Sequence, residues 1–581
     1  MKLFFGNVFS SLSSSVSSLL SFLAVCFGYM MMFSCMLISS CEVIEFELWS
    51  GCGSSVMLSL LFDEVSVIFG GVVLVISGSV SLYSKWYMDD EIFYWRFMLI
   101  IYAFVGSMLM LIFSANLISL MLGWDGLGLV SFLLVCYYQN SSSLGAAMIT
   151  VLTNRVGDVL ILSSIGLMSS WGDWLVYNRV IFNDLGYVGF FVVVAGMTKS
   201  AQMPFCSWLP AAMAAPTPVS SLVHSSTLVT AGVYLIIRCY PLCSDSSGSM
   251  FFLKLMSLLT LIMAGMSGSL ETDFKKIIAL STLSQLSIMM FAVSVGLPML
   301  AFFHLITHAT FKALLFISAG TVIHSNKGSQ DLRLLGGMWS SLPITSAIMV
   351  VASFSLCGIP FMSGFFSKDL IIEMSMMCTL DVWAYLIMLL GVSFTSLYSI
   401  RIVISVLFSM NKVMIMGMAM KEPVEVVISY FCLFFGAVFS GMMMKSHMST
   451  FFYQNFVDSV SFVFIVFIPL YGAVWYINFM VFSNFVWYSK LTNFVSSMWN
   501  LKNLSAQPFC SESFMYGYSL ARCMDQGWLE KVGPQGVYET LMNLGQFNQK
   551  VQSSYFVKLV MFSILFFSIV LFLSLVILVI Y

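Results

Sequence analysis

Charged residues are scarce in this sequence. Of its 581 residues, 9% are Asp, Glu, Lys or Arg and 60% are hydrophobic, whereas an ordinary soluble domain carries about a quarter charged residues. The formal net charge is −2, and the absence of a basic tail or basic patch excludes the electrostatic footprint of nucleic-acid binding. Water is therefore not the main solvent of this chain.

Cysteine clusters are also missing. The thirteen cysteines lie scattered along the chain, and the closest pair, Cys239 and Cys243, is not joined by others at the spacing of iron–sulfur or zinc ligands. We therefore expect no metal site and no cofactor in this chain. The start of the sequence lacks an Arg-rich transit peptide and a clear cleavage site, which agrees with synthesis inside an organelle or in a bacterium.

Long apolar runs are what the sequence has in abundance. Runs of about twenty residues recur from end to end, and each can cross a hydrocarbon core roughly 30 Å thick as a helix. Runs without charge, such as 559–581, do not alternate as the strands of a transmembrane barrel would. The pattern predicts an all-α polytopic membrane protein of about fifteen spans, with the first near 19–40. The weak alternation over 41–61 predicts a small surface hairpin.

Two of the predicted spans are interrupted by proline close to a lysine. Pro204 cannot donate a backbone hydrogen bond to the carbonyl of Ser200, which is next to Lys199. In the other span, the Gly-Ile-Pro sequence at 358–360 breaks the helix before Lys368. Irregular backbone at membrane depth persists only where it is buried in protein or lines a wet cavity. Paired broken helices indicate an inverted repeat with its ion site at the breaks.

The C-terminal region departs from this pattern. Residues 489–555 are too polar to span, yet Met524, Trp528 and Val532 share one helical face before a break at 533–534. We interpret this stretch as an amphipathic helix lying on a surface; a loose soluble loop is the alternative. The predicted segments are N-terminal transmembrane helices with the hairpin (1–115), a first repeat (116–269), a second repeat (270–408), additional transmembrane helices (409–488), the amphipathic helix (489–555) and a C-terminal transmembrane anchor (556–581).

Several ionisable residues fall inside predicted spans. A charged side chain at the centre of a translocated helix costs roughly 2.5 to 3.5 kcal/mol, so each such residue is a functional candidate by default. The candidates are Asp125, Arg155, Asp158, Lys199, His224, His304, His308, Lys312 and Lys368.

Spacing and chemistry indicate proton transfer. His304, His308 and Lys312 are four residues apart, which places them on one helical stripe with neighbours about 6 Å from each other. Unperturbed histidine titrates near physiological pH, burial lowers the pKa of a lysine towards that range, and a nearby carboxylate opposes the shift. A change in the distance between Asp125 and Lys199 would therefore change the proton affinity of the lysine, which makes the two residues a candidate switch.

The candidates also have purely structural interpretations. The row from His304 to Lys312 is the hardest to explain in that way, and Lys275 and Lys276 are expected to mark a solvated helix end. The structural alternatives are an ion pair that only holds helices together for Arg155 and Asp158, a position at the membrane edge for Lys368, and a hydrogen-bonded packing histidine for His224.

Four blocks of sequence resemble the antiporter-like, proton-translocating subunits of complex I, the respiratory NADH:ubiquinone oxidoreductase. The family also includes chains 2 and 4 of that complex and the large subunits of multisubunit sodium/proton antiporters. The blocks are KSAQMPFCSWLP (199–210) with APTPVS (215–220) and His224, DFKKIIALSTLSQ (273–285), FHLITHATFKALLF (303–316) and GFFSKD (364–369). Further motifs resemble the long member of the family, which carries a lateral arm: GWDGLGLVS (123–131), NRVGD (154–158) and CMDQGW (523–528).

The resemblance implies a core membrane-arm subunit that translocates protons across the mitochondrial inner membrane while electrons pass from NADH to ubiquinone elsewhere. It implies FMN, iron–sulfur clusters and ubiquinone in other subunits, and as partners the chain 4 and chain 2 paralogues along the lateral helix, membrane lipids and protons, without nucleic acid. The implied roles are the modulating pair for Asp125 and Lys199, a supporting ion pair for Arg155 and Asp158, a relay for His224, connecting residues for His304 and His308, the central lysine for Lys312 and the terminal lysine for Lys368.

The sequence differs from the family pattern in three places. Asp125 stands where glutamate is usual, Ala211 stands where many relatives have an acid, and one span precedes the hairpin where many relatives have two. Two other functions stay open at this point. One is a subunit of a sodium/proton antiporter that works without electron transfer, and the other is a structural arm that clamps its neighbours and moves no protons.

Overall fold

The fold is helical and suited to a membrane. Within the described residues, twelve helices are long and apolar enough to cross a membrane, and shorter apolar helices accompany them. The all-α polytopic fold is therefore confirmed, whereas much of the segment predicted to hold additional transmembrane helices (409–488) lies outside the described part of the chain. The computed structural model describes residues 2–37, 41–51, 54–170, 172, 174–175, 186–244, 246–378, 381–410, 422–447, 467, 471–472, 474, 489–553 and 556–580.

The N-terminal part carries the hairpin between its first two helices. The elements are α1 (Lys2–Leu37), β1 (Glu42–Gly51), β2 (Ser54–Phe62), α2 (Glu64–Tyr87), α3 (Tyr94–Phe113), α4 (Leu117–Val135) and α5 (Ser141–Ser169). The two strands pair antiparallel, as the alternation predicted. The helix α2 begins at a capping box in which Asp63 accepts from the backbone of Ser66 at 2.9 Å and the Ser66 hydroxyl accepts from the backbone of Asp63 at 3.0 Å.

The first two helices cross closely because glycines line their contact. A Cβ atom added at Gly28 would lie 2.7 Å from the carbonyl oxygen of Gly71, and one added at Gly78 would lie 2.6 Å from that of Ser21. Small residues allow this approach between membrane helices. The contact therefore depends on glycine at both positions.

The middle of the chain contains both predicted breaks. The helices here are α6 (Gly186–Lys199), α7 (Phe205–Ala214), α8 (Thr217–Arg238), α9 (Tyr240–Ser244), α10 (Ser247–Leu270), α11 (Phe274–Val295), α12 (Pro298–Ser325), α13 (Met338–Ser341), α14 (Pro343–Cys357), α15 (Leu370–Cys378) after a π-helical turn (Phe365–Asp369), α16 (Val382–Phe408), α17 (Val424–His447) and α18 (Ser489–Ser496). The first broken span stops at Lys199. The second stops at Cys357, where Gly358 has a φ of +85° that favours glycine.

Three helices form the centre of this part of the molecule, and two of them, α8 and α12, carry four of the nine candidate residues. Every residue in the apolar windows of α8 and α12 is buried, and α11 is almost as completely enclosed. Polar side chains on these helices are therefore shielded from lipid by the surrounding spans. An inverted repeat relating 116–269 to 270–408 stays a prediction.

Residues 506–581 form a second compact unit, and residues 1–505 form the first. The C-terminal helices are α19 (Leu501–Leu520), continued by a π-helical stretch (Ala521–Leu529) and a short turn (Glu530–Val532), then α20 (Pro534–Gln552) and α21 (Phe556–Ile580). The stretch is helical rather than a loop, and it breaks at Gly533, before Pro534 at the first position of α20. The location of this helix on a surface stays a prediction.

Candidate functional site

Six of the nine candidate residues are completely enclosed by the protein. Lys199, His224, His304, His308, Lys312 and Lys368 are each at most 1% exposed. Asp158 is 5% exposed, whereas the side chains of Asp125 and Arg155 are 38% and 45% exposed. Seven of the candidates are therefore buried, and Asp125 and Arg155 are partly exposed.

Lys199 lies against Trp124 at the end of α6. Its ammonium Nζ donates to the backbone carbonyl of Trp124 at 2.7 Å and lies 3.7 Å from the centre of the indole ring, a cation–π contact. The indole Nε1 in turn donates to the carboxylate of Asp158 at 2.8 Å. Trp124 thus connects the lysine to a carboxylate through one rigid side chain.

The modulating pair expected from the sequence is not a direct contact. Asp125 accepts from Arg155 at 2.7 Å, and Arg155 also lies 3.2 Å from the carboxylate of Asp158. The position of Arg155 on α5 explains this arrangement because it reaches both carboxylates, while the indole of Trp124 occupies the space beside Lys199. Arg155 and Asp158 do form an ion pair, and Asp125 is part of the same cluster.

His224 lies in a π-helical stretch (Ser220–Thr227) within α8, a feature frequent at functional sites. Its ring is 6.2 Å from that of Trp208. Neither ring nitrogen has a hydrogen-bond partner among the described residues. Because buried polar groups are normally satisfied, these two nitrogens are candidates for contact with water, and the relay role of His224 stays a prediction.

The stripe on α12 is present as the spacing predicted. The rings of His304 and His308 are 6.3 Å apart, and Lys312 donates to the hydroxyl of Ser281 on α11 at 2.5 Å. His304 has partners on two sides, Ser367 at 2.9 Å and Gln285 at 3.2 Å. Both nitrogens of His308 are unpartnered within the described structure.

Lys368 lies inside the protein at the second break. Its Nζ donates to the hydroxyl of Thr395 at 2.8 Å and approaches the carbonyl of Leu356 at 3.5 Å. Because the side chain is 1% exposed, the membrane-edge interpretation is wrong. Ser367, the neighbour of Lys368, contacts His304, so the stripe on α12 leads to this lysine.

The expected solvated helix end is only half correct. Lys276 is partly exposed and pairs with Asp273, as expected for a solvated residue. Lys275 is 5% exposed and donates to the carbonyl of Ala215 at 3.3 Å. The start of α11 is therefore packed against the segment that follows α7, a tertiary contact that no local pattern reveals.

Sequence reasoning missed the side chains that contact the buried lysines and His304. These partners are hydroxyl, amide and indole groups on other helices, and the only available signal was the position of Trp124 directly before Asp125 in a span. Within the described residues, no group of three or more His, Cys, Asp or Glu side chains could hold a metal ion. The partners are Trp124, Ser281, Gln285, Ser367 and Thr395.

Three family models match the chain. NADH:quinone oxidoreductase/Mrp antiporter, TM, matches residues 114–399. NADH-Ubiquinone oxidoreductase (complex I), chain 5 N-terminus, matches 49–98, and NADH dehydrogenase subunit 5 C-terminus matches 398–575. Together they match most of the chain between residues 49 and 575.

Curated relatives agree with these models. NADH-ubiquinone oxidoreductase chain 5 of Mytilus edulis is 49% identical over 91% of this chain and 94% of its own length. The protein of the same name from Anopheles quadrimaculatus is 42% identical over 88% of this chain and 90% of its own length.

Solved structures with a similar fold are more distant in sequence. The Mrp complex from Dietzia sp. DQ12-45-1b contains a chain with a TM-score of 0.69 at 20% identity, covering 94% of this chain and 63% of that one. A chain of the membrane-bound sulfane sulfur reductase, an archaeal respiratory membrane complex, has a TM-score of 0.65 at 18% identity and is covered to 93%, against 79% of this chain. At these identities the likeness shows the fold alone.

Proposed function

Because this chain belongs to the family of NADH-ubiquinone oxidoreductase chain 5, a membrane subunit of complex I, we propose that its buried lysines and histidines form the proton route. The observation that carries the proposal is that each of the three buried ammonium groups is held by neutral partners. These are a carbonyl and an indole face for Lys199, a hydroxyl for Lys312, and a hydroxyl and a carbonyl for Lys368.

Neutral partners allow a proton to be given up and taken back. A buried ammonium locked in an ion pair would leave an uncompensated carboxylate on losing its proton, at a cost of about 3 to 5 kcal/mol. No carboxylate of the described residues forms an ion pair with these three lysines. Each can therefore alternate between ammonium and amine with a small rearrangement of its hydrogen bonds.

The proposed route starts at Lys199, passes His224 and Lys312, and follows α12 through His308 and His304. From His304, the hydroxyl of Ser367 leads to Lys368. Water has to bridge the intervals that no side chain spans, and a buried water needs two to four polar partners. The unpartnered nitrogens of His224 and His308 supply such partners in the described structure.

The cluster of Arg155 with the two aspartates is the proposed control element. When Arg155 engages Asp158, the negative field that reaches Lys199 across Trp124 is partly neutralised; when Arg155 turns to Asp125, the field is restored. A carboxylate field stabilises the protonated lysine. Movement of the Arg155 guanidinium would therefore favour the protonated or the neutral form of Lys199.

The remaining parts of the proposal concern the complex. We place the chain in the mitochondrial inner membrane without a redox centre of its own, with FMN, iron–sulfur clusters and ubiquinone in other subunits. The chain 4 and chain 2 paralogues are the proposed neighbours of the helical region 489–555. The sodium/proton antiporter alternative has only the fold-level likeness to the Mrp complex in its favour.

The direct test is Lys312→Ala in the assembled complex, reconstituted in sealed vesicles with NADH and ubiquinone. We expect the number of protons moved per NADH oxidised to fall while the complex still assembles on a native gel. Lys327→Asn, at an exposed turn residue with a φ of 54° that asparagine tolerates, is the matched control and should leave the ratio unchanged. An unaltered ratio in Lys312→Ala would reject the route.

A further inference from the structure

A cavity of about 190 Å³ opens beside the first broken span. The spans alternate in direction from α2 onward, so the end of α10 and the start of α11 lie at the membrane face opposite the hairpin. The contact between Arg238 at the end of α8 and Asp63 before α2 agrees with this alternation. The cavity is lined by Ser207, Pro210, Ala211, Glu271, Lys276, Leu280 and residues of the segment 496–503.

Glu271 is the single carboxylate in this lining. It lies between α10 and α11, outside the spans, and burial raises its pKa above the ordinary value of a glutamate. Lys276 and Arg401 oppose that rise and Asp273 adds to it. Arg401, on α16, is tied to the carbonyl of Ser269 at 2.6 Å, and Lys276 is paired with Asp273.

The cavity reaches the surroundings of Lys199 and His224 along one wall. Ser207 directly precedes Trp208, whose indole donates to the carbonyl of Thr198 at 3.1 Å. Thr198 is the neighbour of Lys199, and the ring of Trp208 is 6.2 Å from that of His224. One residue of α7 therefore separates the cavity from the packing around the start of the proposed route.

Another residue of the lining leads to Lys312. Leu280 lines the cavity and directly precedes Ser281 on α11, and the hydroxyl of Ser281 accepts from the ammonium of Lys312. Two residues of the cavity lining thus lead to the buried lysines. Ser207 is next to Trp208, which packs near Lys199, and Leu280 is next to Ser281, the partner of Lys312.

We propose that Glu271 is the residue through which the buried lysines exchange protons with the aqueous phase at the face opposite the hairpin. The inference rests on the proposed route and adds its entrance. The carboxylate takes a proton from hydronium in the cavity and leaves a water molecule. The O–H bond then breaks as the proton passes through bridging water to a neutral lysine amine, which becomes an ammonium and restores the carboxylate.

The test is Glu271→Gln, which keeps the size of the side chain and removes the proton site. In reconstituted complex we expect the rate of proton translocation to fall roughly tenfold, below the hundredfold or more of a group that acts in the reaction itself, because water offers a slower path. Glu425→Gln, an equally conservative change at an acid outside the cavity, should have no effect. Glu271→Asp keeps a carboxylate in the cavity and should retain most of the rate.

Relocation of the acid separates a proton-exchange role from a structural one. Ala211 lines the same cavity, so Ala211→Asp added to Glu271→Gln returns a carboxylate to it and should restore the rate. Failure of both Ala211→Asp and Glu271→Asp to pump better than Glu271→Gln, in complexes that assemble normally, overturns the inference. If Glu271→Gln pumps normally while Lys312→Ala does not, the entrance is wrong and the route stands; if both pump normally, the route is wrong as well.

Discussion

The two lysine regions of this molecule differ in the groups that surround the buried ammonium groups. Around Lys199, two carboxylates and Arg155 lie within one cluster whose edge is partly exposed. Around Lys312 and Lys368, the hydrogen-bond partners are hydroxyls and a carbonyl, the lysine side chains are buried, and the neighbouring carboxylate, Asp369, is 6% exposed. Charge outside the chain can therefore influence the first region directly, whereas the second region is enclosed by the protein.

This difference indicates that the two regions have different roles in proton transfer. A lysine next to a movable ion cluster is suited to being switched, because its proton affinity depends on the position of charges nearby. A row in which His304 has neutral partners and His308 has unpartnered nitrogens among the described residues is suited to conduction, because its groups have no ion pair to break. The first region would thus control when Lys199 binds or releases its proton, and the second region would conduct the proton.

The largest effect is expected from blocking the conducting row. His308→Phe places a ring without a proton site beside the ring of Phe311, which lies 5.5 Å from that of His308. Proton translocation should fall about a hundredfold, the lower end of the contribution of a positioned acid–base group. The measurement is the initial rate of proton uptake by vesicles that contain the assembled complex.

His308→Gln is the comparison variant because it restores a polar group that can order water. It should pump faster than His308→Phe. Equal and normal rates in both variants would show that the row does not conduct protons. The assignment of a switching region and a conducting region would then be wrong.

The next effect concerns the switching region and separates the two aspartates. Asp158→Asn removes the carboxylate that accepts from Trp124 and faces Lys199, so we expect translocation to fall about tenfold, corresponding to roughly 1.4 kcal/mol. Asp125→Asn changes the exposed partner of Arg155 and should reduce the rate only two- or threefold. The reverse order would restore Asp125 as the main modulator of Lys199, as the sequence alone predicted.

A smaller effect is expected at Trp124. Trp124→Phe keeps an aromatic face beneath the ammonium of Lys199 and loses the hydrogen bond to Asp158, which contributes about 1.5 to 3 kcal/mol when the acceptor is charged. Phenylalanine cannot substitute for the indole N–H, so Asp158 should respond less strongly to Lys199. We expect the dependence of translocation rate on pH to shift while the assembled amount of complex stays the same; an unshifted profile would remove Trp124 from the switch.

Local sequence rules were sufficient for the breaks and for the stripe. Proline beside Lys199 and glycine–proline before Lys368 act through backbone hydrogen bonds, and the spacing of His304, His308 and Lys312 follows from helix geometry. The partners of the lysines could not be predicted from local sequence because Ser281 and Thr395 lie on other helices. The same reason hid Arg155 as the partner of Asp125 and the burial of Lys275, since both depend on how helices pack.

The smallest effect on pumping is expected from a buried charge that does have an ionic partner. Arg238, 8% exposed, forms a two-pronged contact with Asp63, with distances of 2.5 Å and 2.7 Å, and donates to the hydroxyl of Tyr234 at 2.8 Å. Burial alone would raise the pKa of Asp63, but the hydrogen bonds and the charge of Arg238 outweigh it and hold the pKa below its ordinary value. The pair therefore contributes stability above pH about 4, and this contribution is lost only as the pH falls below that value.

Asp63→Asn should accordingly lower the thermal stability of the complex at neutral pH without changing the number of protons moved per NADH. Breaking a buried pair costs about 3 to 5 kcal/mol, and the partial exposure of Asp63 puts the expected loss at or below the lower end of that range. The measurements are a native-gel melting series and the proton ratio on the fraction that survives. A reduced ratio in intact complex would mean that an ion-paired charge takes part in translocation, and that neutral partners are not what distinguishes the residues of the route.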